Sequence, residues 1–212
     1  MARIVVVDSG MGNLRSVSQA IAHVAGADAV TISDSPEAVR RAERVVFPGQ
    51  GAMPDCTREL EARGLHQAVV EAAGEKPFLG ICIGEQMLFD WSDEGGVPGL
   101  GVFAGRVERF PEAAMHDASG ARLKVPHMGW NGVRQRQRHA LWRSIDDGSR
   151  FYFVHSYFVV PADQSIIAGE STHGVAFTAA VARDNIFAVQ FHPEKSATAG
   201  LQMLTNFVGW KP

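Results

Sequence analysis

The sequence has few cysteines and lacks any long apolar run. Cys56 and Cys82 are the only cysteines in 212 residues, too few for the disulfide framework of a small secreted protein. Charged residues and glycines interrupt every hydrophobic stretch before it reaches the roughly 18 residues of a membrane-spanning helix. The first apolar stretch ends at Asp8, which is too early for a signal peptide. We therefore expect a cytoplasmic protein with no membrane partner.

An excess of positive charge is also missing. The chain has 20 Lys and Arg against 23 Asp and Glu, and a net charge of −3 argues against a protein that mainly holds nucleic acid. The segment Asp8-Ser9-Gly10-Met11-Gly12-Asn13 resembles the start of a dinucleotide-binding loop, but Arg15 occupies the position of the third glycine. Histidines and cysteines show no metal-ligand spacing. We expect no cofactor, no metal and no nucleic acid.

The remaining composition is that of a globular α/β chain. With 46% hydrophobic residues and no evident linker, residues 1–212 are expected to form a single domain. Short apolar runs alternate with segments of helical period in the first half, which predicts a doubly wound, mostly parallel sheet with crossover helices. Shorter runs in the second half predict added antiparallel strands. The predicted strands are 3–8, 29–32, 44–47, 77–81, 150–154, 166–169 and 186–191, and helices are predicted at 13–25, from Pro36 onward and at 200–208.

The most informative motif is Gly80-Ile81-Cys82-Ile83-Gly84, where a strand runs into a helix. This is the pattern of a nucleophile elbow with sulfur in place of oxygen, because the flanking glycines permit a sharp turn. We expect Cys82 to be exposed at the turn, where the N-terminus of the helix favours the thiolate. The alternative is a buried and unreactive thiol, which is the interpretation we give to Cys56 because no glycines flank it.

A cysteine nucleophile requires a base, and the base requires an acceptor that fixes its tautomer. Among eight histidines, His192 meets both demands because His192-Pro193-Glu194 ends an apolar strand. Residues two apart in an extended chain point to the same side, so Glu194 can reach the imidazole. The alternative is a surface histidine beside a surface glutamate. The spacing predicts a triad of Cys82, His192 and Glu194.

An acyl-transfer site also needs amide donors for the oxyanion. Pro48-Gly49-Gln50-Gly51 follows the third predicted strand and would reach the same sheet edge as Cys82 if the strands are parallel. A plain strand-to-helix turn has the same composition. The glycine-rich segment therefore supports an oxyanion site only in combination with Cys82.

These three motifs together resemble the class I, triad-type glutamine amidotransferases. The resemblance implies a flavodoxin-like fold and glutaminase chemistry, in which Cys82 attacks the side-chain amide of glutamine. His192, oriented by Glu194, then passes a proton to the leaving ammonia, and water hydrolyses the glutamyl thioester. The resemblance also implies that the oxyanion and substrate contacts of this family correspond to Gly49, Gln50, Gly51, Ile83 and Gln86.

Segments 8–16, 126–131 and 151–157 resemble one family within that class, the glutaminase subunits of imidazole glycerol phosphate synthase. The resemblance implies a heterodimer in which ammonia from L-glutamine enters a separate (β/α)8-barrel cyclase subunit. That subunit makes imidazole glycerol phosphate and aminoimidazole carboxamide ribotide in histidine biosynthesis. The resemblance further implies substrate-pocket roles for His155, Ser156 and Tyr157 and partner contacts for Asn13, Trp130 and Lys195.

Several alternatives remain open at the level of the residues. Trp130 could be a core aromatic and His155 a satisfied core histidine. Many members of the family carry Tyr in place of Ser9 and a small apolar residue in place of Gln50, which bears on the partner contact and on how the oxyanion loop reorients. The chain could also be the glutaminase of anthranilate synthase or of pyridoxal phosphate synthase, or an interaction module that keeps the fold without the chemistry.

Overall fold

The chain forms an α/β structure with one large sheet and two small ones. The computed structural model describes residues 4–10, 12–117 and 119–212. Arg3 of the first predicted strand and Met11 of segment 8–16 therefore lie outside the described residues. The strands, in chain order, are β1 (Ile4–Val7), β2 (Val30–Ser33), β3 (Arg44–Gly49), β4 (Phe78–Cys82), β5 (Phe89–Ser92), β6 (Val97–Pro98), β7 (Phe103–Arg109), β8 (His127–Gly132), β9 (Arg134–Gln135), β10 (Arg150–His155), β11 (Tyr157–Pro161), β12 (Ile167–His173), β13 (Val175–Arg183) and β14 (Ile186–Val189).

Two of the helices begin at capping residues that the sequence marks. Asn13 accepts a hydrogen bond from the backbone N–H of Ser16, and Ser35 accepts one from Ala38, with Pro36 at the first helical position. Both caps satisfy backbone donors that the first turn of a helix leaves unpaired. The helices are α1 (Leu14–Ala25), α2 (Pro36–Arg41), α3 (Met53–Ala62), α4 (His66–Glu75), α5 (Ile83–Gln86) and α6 (Ala197–Gly209).

The large sheet has the order β2-β1-β3-β4-β14-β13-β12-β9. Its first five strands are parallel and the last three are antiparallel, which confirms the predicted doubly wound, mostly parallel sheet with added antiparallel strands. The chain moves outward from β1 to β2 and then back across β1 to β3. Because crossovers are right-handed, α1 lies on one face and α2 on the other, where α2 packs against α4. The helix α6 packs against α1.

The second half of the chain builds the two small sheets beside the large one. One sheet has the order β11-β7-β5-β6, and the other is the antiparallel pair β10-β8. The end of β10 and the start of β11 bring the segment His155-Ser156-Tyr157 next to the carboxyl ends of the parallel strands. No helix among the described residues is long and apolar enough to cross a membrane.

The register of three neighbouring strands positions the residues of the three motifs. In the β3–β4 pair, Gly49 lies opposite Cys82, and in the β14–β4 pair, Val189 lies opposite Ile81. The loop of Gly49, Gln50 and Gly51, the elbow at Cys82 and the segment before His192 therefore leave the sheet at the same edge. In an open α/β sheet this carboxyl edge is where ligands bind.

Two predicted boundaries differ from the structure for a physical reason. The strand predicted over 186–191 ends at Val189, because the chain then turns toward β10 and the backbone N–H of His192 donates to the carbonyl of Tyr152. The helix predicted over 200–208 begins earlier, at Ala197, and Gly200 allows it to approach the carbonyl of Pro193. A Cβ atom at Gly200 would lie 1.9 Å from that oxygen.

Candidate active site

Cys82 stands at a strained turn between β4 and α5. Its backbone has φ of 58° and ψ of −113°, a left-handed conformation that is costly for a residue with a side chain and that is common at functional sites. The strain falls on the cysteine itself, whereas the flanking glycines serve close packing. A Cβ on Gly84 would lie 1.8 Å from the carbonyl oxygen of Phe47, and a Cβ on Gly80 would lie 2.9 Å from that of Gly84. The elbow therefore has the predicted sharp turn. The unusual backbone angles belong to Cys82 itself, and the two glycines are needed for close packing rather than for the turn.

The expectation that Cys82 is exposed is wrong. Only 5% of the residue is accessible, because the small sheets of the second half cover the elbow. The sulfur instead faces a cavity of about 400 Å³ that Cys82 and His192 line together. The helix α5 is a single turn of four residues, so its dipole contributes little to stabilising a thiolate. The group best placed to act on the sulfur is its histidine neighbour.

His192 and Glu194 form a buried pair. The imidazole Nδ1 lies 2.8 Å from Glu194 Oε1, and the two side chains are 2% and 1% exposed. The alternative of a surface histidine beside a surface glutamate is therefore wrong. The contact arises differently from the predicted extended geometry, because Pro193–Lys195 forms a 3-10 turn that folds Glu194 back toward the ring. A buried carboxylate at Nδ1 fixes the ring orientation and leaves Nε2 free to act on a neighbour.

The electrostatics of this pair favour a charged imidazole. Burial by itself lowers the pKa of His192, but the side-chain interactions with Cys82 and Glu194 outweigh it and raise the pKa to about 10. The ring atom Nε2 is buried and has no hydrogen-bond partner with acceptable geometry among the residues that the structure covers. The interaction with the sulfur of Cys82 is the first of the causes that raise the pKa of this ring, and because Glu194 already engages Nδ1, Nε2 is the ring nitrogen on the side of the sulfur. At neutral pH the pair therefore holds an imidazolium beside the sulfur of Cys82.

Sequence reasoning missed Gln190, which touches the sulfur. The residue is fully buried, and its Nε2 lies 3.7 Å from Cys82 Sγ with the geometry of a hydrogen-bond donor. Its Oε1 accepts a hydrogen bond of 2.8 Å from Gln86. The position follows from strand register, since Val189 pairs with Ile81 and the residues that follow them along the chain are Gln190 and Cys82. A polar residue directly after an apolar strand is the one signal that could have identified it.

The cavity is lined by most of the residues expected to bind substrate. Gly49 is the exception, because it lines a small adjoining space of about 10 Å³ together with Glu194. Glu94, Pro126 and Val154 also line the main cavity and were missed; Pro126 and Val154 belong to segments 126–131 and 151–157, but neither was singled out as a pocket residue. Glu94 accepts a hydrogen bond of 2.8 Å from the backbone N–H of Met53. The expected residues that line the main cavity are Gln50, Gly51, Ile83, Gln86, His155, Ser156 and Tyr157.

Cys56 is a packed thiol, as predicted. It is fully buried in α3, and its Sγ donates to the carbonyl of Gln50 at 3.4 Å. Burial is the main cause that raises the pKa of this thiol to about 12. Cys56 therefore stays protonated at neutral pH and is a poor nucleophile.

The residues expected to contact a partner lie on one exposed surface. Trp130 is 43% exposed, so the core interpretation of this residue is wrong, and Met128 on the same side of β8 is 63% exposed. The ring of Trp130 lies 6.1 Å from that of Tyr152, over which Lys195 Nζ lies at 6.0 Å. We call Met128, Trp130, Tyr152 and Lys195 the aromatic surface. Asn13 lines the small space that Glu194 also lines, next to this surface.

Comparison with known proteins gives a consistent result over the whole chain. A family model described as glutamine amidotransferase class-I matches residues 5–209. The chain is 68% identical over 209 residues to imidazole glycerol phosphate synthase subunit HisH of Dechloromonas aromatica, covering 99% of this chain and 97% of that protein. It is 63% identical to the subunit of the same name in Aromatoleum aromaticum over the full length of both.

Among solved structures the likeness extends to the fold. A crystal structure of a glutamine amidotransferase superposes with a TM-score of 0.71 at 16% identity, covering 97% of this chain and 99% of that chain. At this identity the match concerns the architecture alone. The architecture that it matches is the doubly wound sheet with its antiparallel additions.

Proposed function

The chain belongs to the class-I glutamine amidotransferases, and from that premise we propose that it is the glutaminase subunit of an imidazole glycerol phosphate synthase. It releases ammonia from L-glutamine and delivers it to a cyclase subunit of histidine biosynthesis. The observation that carries the proposal is the thiol of Cys82 at a strained elbow, beside a histidine held by Glu194, in a cavity that can admit an amino acid. A cysteine packed away from any histidine would not support it.

In the first half of the reaction the Cys82 thiolate attacks the side-chain amide carbon of glutamine. The carbonyl oxygen becomes an oxyanion, for which the backbone donors of Gly49, Gln50, Gly51 and Ile83 are available at the same sheet edge. The imidazolium of His192 transfers its proton to the amide nitrogen. The C–N bond breaks, ammonia leaves, and a glutamyl thioester on Cys82 remains.

In the second half His192 is neutral and acts as the base. It takes a proton from water, whose oxygen attacks the thioester carbon, and the C–S bond breaks to restore the thiolate and the imidazolium. The released carboxylic acid ionises to glutamate. Glu194 accepts a hydrogen bond from Nδ1–H throughout and so keeps the ring in a productive orientation. Gln86 is available for the amino-acid end of the substrate, since its Oε1 is buried and has no partner among the described residues.

A partner subunit follows from the chemistry of the product. Free ammonia at neutral pH is mostly protonated and then cannot attack, so it is useful only when delivered directly to an acceptor. We propose a (β/α)8-barrel cyclase as the partner in a cytoplasmic heterodimer, with residues 1–212 acting as a single glutaminase domain. The aromatic surface and Asn13 are the contact region, because exposed Trp and Met are typical of interface centres.

The proposal is tested by measuring glutamate release and nitrogen transfer together. The chain is assayed alone, with the cyclase subunit, and with the cyclase subunit plus its phosphorylated ribulosyl aminoimidazole substrate. We expect glutamate release in the complex, with the nitrogen of labelled glutamine recovered in imidazole glycerol phosphate. Glutamate release without transfer would indicate another synthase partner, and no release under any condition would indicate a module that keeps the fold without the chemistry.

The partner surface is tested by a matched pair of tryptophan variants. Trp130→Ala should weaken cyclase binding by about tenfold or more, because a large aromatic anchor at an interface commonly contributes that much. Trp91→Ala is the control, since Trp91 is also 43% exposed but lies outside the aromatic surface. Affinity is measured by titration calorimetry. Equal affinities for the two variants would place the partner elsewhere.

A further inference from the structure

Two buried histidines, of which His155 lines the glutamine cavity, form a hydrogen-bonded row with an asparagine. Asn131 Nδ2 lies 3.3 Å from His127 Nε2, and His127 Nδ1 lies 3.0 Å from His155 Nε2. His155 Nδ1 lies 2.8 Å from the carbonyl oxygen of Tyr157. We call Asn131, His127 and His155 the histidine relay. The proposed reaction uses none of these contacts.

The direction of each hydrogen bond in the relay can be deduced from its two ends. The carbonyl oxygen of Tyr157 can only accept, so His155 Nδ1 carries a proton. Burial is the main cause that lowers the pKa of His155 to about 3 and that of His127 to about 4, so both rings are neutral. His155 Nε2 is therefore an acceptor, and His127 Nδ1 must donate to it.

The asparagine end agrees with the same direction. A neutral His127 with its proton on Nδ1 has an acceptor at Nε2, which requires a donor from Asn131. The amide nitrogen of Asn131 also donates to the carbonyl of Thr172 at 2.8 Å, which independently orients the amide group. Every proton in the relay is thus assigned, and hydrogen bonds aligned in one direction strengthen one another.

The relay ends at an oxygen that also holds a substrate-pocket residue. Gln86 Nε2 donates to the carbonyl of Tyr157 at 3.1 Å and to Gln190 Oε1 at 2.8 Å. Gln190 Nε2 in turn contacts Cys82 Sγ at 3.7 Å. The carbonyl of Tyr157 therefore joins the relay to the side chain of Gln86 and, through Gln190, to the sulfur.

We propose that His127 and His155 are positioning residues for glutamine, which hold the Tyr157 carbonyl where it aligns Gln86 with the substrate. The proposal rests on the glutaminase function proposed above. Neither histidine side chain acts in the proton-transfer steps. Their contribution is to substrate affinity, because a Gln86 side chain that has lost one acceptor samples other orientations before glutamine binds.

The alternative is that the histidines serve only to pack the core. His127 stacks between Phe153 and His173, with centroid distances of 5.0 Å and 4.2 Å, and apolar side chains of similar size could fill this space. Packing alone, however, does not select one tautomer at both rings. The inward residues of β8 that enter the relay also alternate with Met128 and Trp130, so the relay starts directly beneath the aromatic surface.

The first test reads the tautomers of the full-length chain without any substitution. Two-bond proton–nitrogen NMR spectra of imidazole-labelled protein distinguish Nδ1–H, Nε2–H and charged rings. We expect His127 and His155 to be neutral with the proton on Nδ1 in both. A charged ring or an Nε2–H tautomer at either residue would overturn the relay.

The second test separates positioning from packing by kinetics in the complex with the cyclase subunit. His127→Leu removes the donor to His155, and we expect the KM for glutamine to rise about tenfold while kcat stays within about threefold of wild type. His127→Asn keeps an N–H in the place of Nδ1 and should recover most of the KM. His139→Leu is the control, because His139 is another histidine whose pKa burial lowers to about 4, and it lies outside the relay.

The outcomes are distinct from those that bear on the proposed function. An inactive wild-type complex would contradict the glutaminase function itself. An active wild type with equal KM values for His127→Leu and His139→Leu would overturn the positioning role. Equal losses for His127→Leu and His127→Asn would also overturn it, because the donor would then be irrelevant.

Discussion

Two groups of buried histidines behave in opposite ways in this protein. His192 is 2% exposed, and His127 and His155 are 5% and 6% exposed, so all three are removed from water. The pKa of His192 is nevertheless raised to about 10, whereas the pKa values of His127 and His155 are lowered to about 4 and 3. The difference lies in their neighbours, since His192 contacts a carboxylate and a thiol, whereas no acidic side chain pairs with either relay histidine among the described residues.

The contrast explains how one protein uses histidine for two purposes. A buried ring beside negative charge holds a proton that it can transfer to a leaving group. A buried ring among carbonyl, amide and aromatic groups stays neutral, and it then serves as a fixed donor and acceptor. Burial by itself favours the neutral ring, and the interactions with Cys82 and Glu194 reverse that preference at His192.

The largest effect should come from removing the sulfur that faces His192. Cys82→Ala should lower glutamate release by at least about a thousandfold, because no nucleophile remains to form the thioester. Synthesis of imidazole glycerol phosphate from added ammonium salt should persist in the complex. Both activities are measured on the same preparation. Loss of both would contradict the division of labour between the subunits.

The second effect compares the two halves of the buried pair. His192→Ala should lower kcat more than Glu194→Ala by about tenfold to a hundredfold, because proton transfer contributes more than orientation of the ring. Steady-state glutamate release in the complex measures both variants. Equal losses would mean that Glu194 does more than orient the imidazole.

The third prediction concerns the pKa of His192, which should become low, like that of the relay histidines, when its charged neighbours are removed. In a Cys82→Ala, Glu194→Gln double variant, the sulfur and the carboxylate charge that raise the pKa of His192 are gone, an amide oxygen can still accept from Nδ1, and burial remains. The pKa of His192 should then fall from about 10 to below its ordinary value of 6.5. An NMR titration of the imidazole measures the change, with His155 as an internal reference. A pKa that stays well above the ordinary value would show that another negative group acts on the ring.

The smallest effect concerns a buried carboxyl group in the elbow helix. Glu85 is 0% exposed, and neither of its oxygens has a hydrogen-bond partner in the described part of the chain. Burial, with a further contribution from the charge of Cys82, raises the pKa of Glu85 well above its ordinary value. The folded state thus binds a proton that the unfolded state has lost, so stability falls as pH rises above the unfolded pKa of 4.5.

Glu85→Gln should remove this part of the pH dependence. We expect the variant to melt about 2–4 °C higher than wild type near pH 8 and at nearly the same temperature near pH 5. Differential scanning calorimetry at both pH values measures the difference. Glu61→Gln is the control, because Glu61 is exposed. A melting difference for Glu85→Gln that is independent of pH would mean that the carboxyl group is not protonated on folding.

Local patterns were sufficient to predict the main parts of the fold and the site. Apolar runs between Gly, Pro and Asp residues located the parallel strands, and Ser35 with Pro36 located a helix start. The elbow motif located Cys82, because its backbone turn needs small neighbours that are adjacent in the sequence. These features depend on contacts within a few residues, so they are visible without the fold.

Features that depend on strand register or on distant segments were not predictable. Gln190 reaches the sulfur only because β14 pairs with β4, and Glu94 reaches the cavity from a separate loop. The burial of Cys82 was missed because its cover comes from strands of the second half. The contact between His192 and Glu194 was expected, but an extended chain was expected to make it. The 3-10 turn at Pro193–Lys195 that makes it was missed.

The sequence by itself determined which groups are available for chemistry: a thiol between two glycines, a histidine two residues before a glutamate, and a loop rich in backbone donors. Only the tertiary structure decided which histidine is charged and which are neutral. The reason is that a pKa inside a protein depends on groups within a few ångströms in space. Those neighbours are brought together by strand pairing across many residues, and no local pattern specifies them.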